Sequence, residues 1–193
     1  MSRYLRCLSR SACFFLLCLS LSATAESLLD ERYVGEMHSP VLISAEGKSA
    51  VAFFLKNNLK GKIKEHVADG EIYFMQNKPL VLGLNYVWKV EGDRIASVFF
   101  YDWNSPERKG RSMFILTESD VSDESFEGKV YSVMELPVVV EEGGLSLVYF
   151  KGDLLDSRLQ SCHEGIDLRD GSKVSCAYKD AGDIKIYLST IDG

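Results

Sequence analysis

The stretch LVLGLNYVWKVEGDRIASVFFYDW, residues 80–103, decides the fold. Side chains alternate between the two faces of a strand, and here large apolar residues recur at every second position. Leu80, Leu82, Leu84, Tyr86, Trp88 and Val90 share one face; Ile95, Ser97, Phe99, Tyr101 and Trp103 share another. Between them Glu91-Gly92-Asp93 breaks the pattern and reads as a tight turn. The expected product is a hairpin with Tyr86 opposite Phe99 and Leu84 opposite Tyr101. Cross-strand pairs of this kind contribute about 0.2–1 kcal/mol each beyond an alanine pair. The reverse face carries Val81, Val87, Ala96, Val98 and Phe100, diluted by Gly83, Asn85, Lys89 and Asp102. Both faces are thus substantially apolar, which predicts central strands covered on two sides. The aromatic side chains read first as packed core. The alternative is that Tyr86, Trp88, Tyr101 and Trp103 line a ligand cavity.

Upstream, residues 41–43 follow Pro40 as a short strand. Residues 44–59 read as the one helix near the N-terminus, since Ala50, Val51, Phe54, Leu55 and Leu59 fall on one face at helical spacing and Gly61 suits its end. The short apolar run 49–56, ending in Asn57-Asn58, also suits a strand and turn. Lys60, Lys62 and Lys64 alternate with Gly61 and Ile63. In an extended chain they make either a guarded edge, which is the usual role of strand lysines, or a small patch for anions. Asp69-Gly70 is a turn signal before a strand over 71–75.

Downstream, residues 104–110 form a polar loop holding Pro106, with Arg108, Lys109 and Arg111 close behind. Strands are expected over 112–117, 129–136 and 138–140, with Pro137 marking an edge or a bulge. Gly143-Gly144 turns the chain into a further strand, residues 153–160 suit a short helix, Asp170-Gly171 is a hairpin turn, and 184–191 alternates as a final strand. The fold class expected is mainly β: an antiparallel sandwich or barrel of about nine or ten strands with one short helix near the N-terminus.

The first 25 of the 193 residues have the marks of a secretory signal peptide. Arg3, Arg6 and Arg10 give a basic start, residues 14–21 an apolar centre, and Ala23-Thr24-Ala25 a small-x-small cleavage site. The remainder, 26–193, is expected to be a single globular domain. At this size about 70% of the unfolded surface can be buried in one core. The whole chain carries a formal charge of −6; without the leader and its three arginines, 168 residues hold 19 basic against 28 acidic side chains, or −9. Such a surface argues against nucleic acid and anionic membrane as partners. No later apolar run is long enough for a transmembrane anchor.

Three of the five cysteines fall in the leader, leaving Cys162 and Cys176 to form one disulfide in an exported protein. A single disulfide, a plain leader and no Asn-x-Ser/Thr sequon point to a periplasm, with secretion as the alternative.

Catalytic signatures are absent from the spacing. His38, His66 and His163 fit no metal-ligand pattern. Cys162-His163-Glu164 is suggestive on paper, but sequence neighbours point apart and Cys162 is needed for the disulfide. Gly47-Lys48-Ser49 imitates the end of a phosphate loop, yet Leu42 stands where the first glycine belongs. The acidic run 118–127 lacks the order of a calcium loop, so a solvated loop is read before a Ca²⁺ site; no cofactor and no metal are called for. The reading is an exported, non-enzymatic binding protein acting on another exported protein, as an inhibitor, immunity-type protein or assembly accessory. Asp120, Asp123 and Glu124 are its candidate contact residues, because charge speeds and orients encounter. A carrier of small apolar ligands is the alternative, and a hydrolase with a site invisible in sequence comes third.

Overall fold

The computed structural model describes residues 33–58, 68–76, 84–106, 108–149 and 157–192. The signal-peptide region, His66 and the lysine run at 60, 62 and 64 lie outside these residues.

The chain is mainly β, with two antiparallel sheets and ten strands among the described residues. The first sheet holds β1 (Tyr33–Ala45), β2 (Lys48–Asn57), β3 (Gly70–Gln76) and β4 (Leu84–Val90) in that order. The second is built on β5 (Arg94–Trp103), β6 (Gly110–Ser122) and β7 (Phe126–Glu141). It continues through β9 (Cys162–Asp167) to β10 (Lys173–Val174), while β8 (Gly144–Leu147) pairs with the far end of β7. Two helices are described: α1 (Ser157–Gln160), a single turn between β8 and β9, and α2 (Ala181–Ile191), which follows β10.

Three expectations are corrected. First, the predicted N-terminal helix is a hairpin. Glu46 and Gly47 both take positive φ, 48° and 73°, as a two-residue hairpin turn requires. Ala45 then pairs with Lys48, and Ala50, Ala52 and Phe54 bury one face of β2 at period two. Second, the expected final strand is α2, at the C-terminus. Its apolar residues 184 and 188 also fit helical spacing; Ile184 and Leu188 are buried, while Ile186 faces solvent. The side chain of Asp180 caps the helix, accepting the Asp183 N–H at 2.9 Å.

Third, residues 84–103 do not form a hairpin; residues 80–83 of that stretch lie outside the described residues. β4 pairs with β3, β5 pairs with β6, and the turn at 91–93 hands the chain from one sheet to the other. Tyr86 therefore lies beside Tyr73, and Phe99 beside Phe114. Gly92 makes the corner possible. It sits at φ 128°, and a Cβ there would come within 2.9 Å of the Thr117 side chain. Its N–H donates to Asp69 Oδ2 at 2.8 Å, and Asp93 Oδ2 accepts the Asp120 N–H at 2.8 Å, so two carboxylates pin the switch.

The apolar faces of the two sheets meet in one core, with Ile43, Phe54 and Ile72 from the first and Met113, Ile115 and Leu136 from the second. On its other face the second sheet presents Phe99, Phe114, Leu116 and Tyr131 to Ile184 and Leu188 of α2. β6 is consequently buried on both sides from Ser112 to Glu118. Fully burying one such apolar side chain is worth about 1.5–3 kcal/mol. The Cys162–Cys176 disulfide ties β9 to the segment that enters α2, and Cys176 is itself buried in this second core. Closing a loop of this length stabilises by about 3 kcal/mol in the chain-entropy account. At the other end of α2, the Asp192 carboxylate accepts N–H groups of Asn104 and Ser105, each at 2.9 Å, and the Tyr101 hydroxyl at 3.1 Å. Partial burial pushes that carboxyl up, but the bonds from Ser105 and Asn104 outweigh it and hold the group below its ordinary value.

Candidate functional site

Strands β6 and β7 form the long hairpin of the second sheet, paired without a slip from Ser112↔Pro137 to Ser122↔Glu127. Their two ends differ in chemistry.

The turn end gathers acidic side chains from three turns. Asp120 and Glu124 project into solvent. Asp123 works locally: its Oδ1 accepts the Ser125 N–H at 2.7 Å, the Ser125 hydroxyl at 2.8 Å and the Phe126 N–H at 2.8 Å. Those bonds, from Ser125 first, hold its carboxyl below the usual range. The β9–β10 turn docks alongside, with Leu168 N–H on the Ser125 carbonyl at 2.8 Å, and adds Asp167 and exposed Asp170. Side-chain and backbone N–H bonds from Arg169 bring the Asp167 carboxyl down to about 2. The 91–93 corner contributes exposed Asp93. Inward of these, buried Glu118 is bonded by both Arg94 and Lys129. Burial raises its carboxyl, and the two cations more than reverse the effect. The acidic run is thus divided: Glu118 is neutralised inside the sheet, Asp123 shapes the turn, and Asp120 and Glu124 remain outward with Asp93 and Asp170. No group of three or more His, Cys, Asp or Glu side chains that could hold a metal ion forms among the described residues.

The opposite end opens into a cleft of about 600 Å³. It lies where β6 and β7 part, between residues 108–112 and residues 137–140, with Ala45 and Glu46 of the β1–β2 turn at its edge. Inside it is a buried polar group that sequence reading missed. Glu135, only 4% exposed, accepts the Trp103 indole N–H on Oε1 at 2.8 Å. Its Oε2 lies 3.3 Å from Arg108 Nη1, and the guanidinium sits 4.6 Å from the Trp103 ring centroid. Arg108 is thereby held between an aromatic face and a carboxylate. At the rim, Arg111 forks onto Asp102 at 2.8 and 3.2 Å and donates to the Ser44 carbonyl, while Lys109 is exposed. The sequence carried two signals for this place, the cations after Pro106 and the break at Pro137. Glu135 gave none, because one acid in an alternating strand reads as a solvent-facing position.

The four residues of the aromatic-cavity reading are not brought together. Tyr86 meets Tyr73 edge-on at 5.9 Å and is 53% exposed. Trp88 stacks on Tyr149 at 4.1 Å. Tyr101 and Trp103 meet edge-on at 4.9 Å in the core beneath α2. Nor does the Cys162-His163-Glu164 run converge. Cys162 is in the disulfide, His163 is exposed against the Phe126 ring, and Glu164 accepts the Cys176 N–H at 2.7 Å and pairs with Lys179 at 3.2 Å. His38 packs edge-on against Phe54. No helix among the described residues is long and apolar enough to cross a membrane.

No family model, curated protein or solved structure matches this chain.

Proposed function

We propose that this is an exported, non-enzymatic binding protein, periplasmic or secreted, that acts on another protein as an inhibitor, immunity-type protein or assembly accessory. The observation that carries the reading is the acidic end of the second sheet. Three turns, braced by side-chain carboxylates and by one another, present Asp93, Asp120, Glu124 and Asp170 from rigid strands. A preformed charged surface loses little conformational entropy on docking, and opposite charge on the partner raises the rate of encounter. The leader-like residues 1–25 and the single disulfide support export. The carrier reading has less support, since its aromatic residues sit in three separate places.

The test is capture of a partner from an extract of the exported compartment by the protein and by its Asp120→Lys/Glu124→Lys variant. Asp123 is left untouched because it shapes the turn. The variant is expected to lose most of the captured protein, and raising the salt should weaken capture by the unaltered protein. Equal capture by both forms would refute the acidic end as the contact surface.

A further inference from the structure

The cleft at the other end of β6 and β7 has an unused strand edge. Val148 donates its N–H to the Pro137 carbonyl at 3.1 Å, so Pro137 turns its carbonyl towards β8. The N–H and C=O of one residue leave a strand on the same edge, and the edge alternates along the chain. Val138 and Val140 therefore turn their backbone groups towards β6. The β6–β7 ladder, however, ends at Ser112↔Pro137. Beyond that point β6 continues only with β5, through Arg111↔Asp102 and Gly110↔Trp103, and β7 only with β8, through Val138↔Leu147 to Glu141↔Gly144. The Val140 N–H and C=O are left without a ladder partner on the cleft side among the described residues. That Val138, Val139 and Val140 all line the cleft fits this geometry. Side chains alternate between the faces of a strand, so a cavity facing the strand edge-on meets consecutive residues.

We infer that the cleft receives an extended peptide segment bearing carboxylates, which adds as a short strand against Val140. An open strand edge recognises an extended backbone, and alternate side chains supply selectivity. The walls favour the same occupant. Pro137 and the valines give it an apolar bed. Glu135 is occupied by Arg108 and Trp103, so the ionic character of the mouth comes from Lys109 and Arg111 against Glu46. Arg111 is committed through all three nitrogens to Asp102 and the Ser44 carbonyl, which leaves exposed Lys109 as the cation for a carboxylate. This site is independent of the acidic end: it lies at the opposite end of the same two strands and uses none of its residues.

The experiment uses the ¹⁵N-labelled protein and a synthetic acetyl-Thr-Val-Thr-Val-Asp-Asp peptide with a free C-terminus. Binding is followed by tryptophan fluorescence and by amide hydrogen exchange. Saturable binding is expected, with exchange at the Val140 amide slowed by about tenfold or more, as one stable hydrogen bond of about 1.4 kcal/mol would give. A peptide N-methylated at alternate residues should fail to bind, and Lys109→Glu should weaken the parent peptide by about tenfold while leaving the thermal midpoint unchanged. Unaltered Val140 exchange at peptide saturation would overturn the proposal, and so would equal binding of the N-methylated peptide. Equal binding of an Asn-Asn amide version would remove the carboxylate requirement and with it the proposed ligand class. Protection of Val140 that grows with protein concentration in the absence of peptide would assign the edge to a second copy of this chain instead.

Discussion

Glu135 and Gly92 each hold a position that no other residue type would hold as well, and for different reasons. Glu135 accepts the Trp103 indole N–H and is one side of a pair with Arg108, both in a nearly dry setting. Removing one member of a buried pair strands the other, which typically costs 3–5 kcal/mol, whereas the net worth of the intact pair is smaller. Glu135→Ala is therefore expected to lower stability in urea unfolding by about 3 kcal/mol or more; a loss under about 1 kcal/mol would mean that the Arg108 guanidinium is satisfied without Glu135. Gly92 is legible in sequence as a turn residue, but not as a corner between sheets. Its need comes from Thr117, a residue 25 positions away whose side chain a Cβ would meet at 2.9 Å. At this scale sequence shows which residue types are special and hides the long-range neighbour that makes them so.

Among the elements, local pattern settled existence more firmly than type. The strands over 112–117 and 129–136 were readable because β-branched, aromatic and aliphatic residues are concentrated there, whereas their mutual register was not. α2 was missed because Ile184, Ile186 and Leu188 satisfy a period of two, while Ile184 and Leu188 alone satisfy the helical one. The deciding signal was Asp180, with Asp183 three residues on, an N-terminal helix signature that outranks three alternating apolar residues. Asp180→Ala is expected to destabilise the protein by about 1 kcal/mol, the usual worth of such a cap. Faster amide exchange should be confined to the first turn of α2; unchanged stability and exchange would show that packing of Ile184 and Leu188 alone holds the helix. The hairpin at 45–48 was missed for the converse reason: Glu46 adopts a positive φ that its residue type does not advertise.

Over the whole molecule, β6 and β7 act as a spine held between the first sheet on one face and α2 on the other. The acidic turns and the cleft sit at its ends, about 35 Å apart at 3.3 Å per residue along β6. The mainly β character of the fold was legible in the alternation over residues 84–103, but the two-sided cover expected there falls on β6: β4 and β5 are the end strands of their sheets, and β6 is buried on both faces from Ser112 to Glu118. Which strands pair is a different matter, since β4 and β5 each had a better partner on their outer flank and nothing local distinguishes a hairpin turn from a change of sheet. The candidate site was legible in part for the same reason. Acidic residues and the cations near Pro106 are visible one by one, whereas their grouping at opposite ends follows from the register of β6 on β7. That arrangement depends on the chain changing sheets at Gly92. The most direct test is a nuclear Overhauser spectrum of the labelled protein: contacts between Phe99 and Phe114 are predicted, with Tyr86 in contact with Tyr73, and cross-strand contacts between Tyr86 and Phe99 would contradict the account.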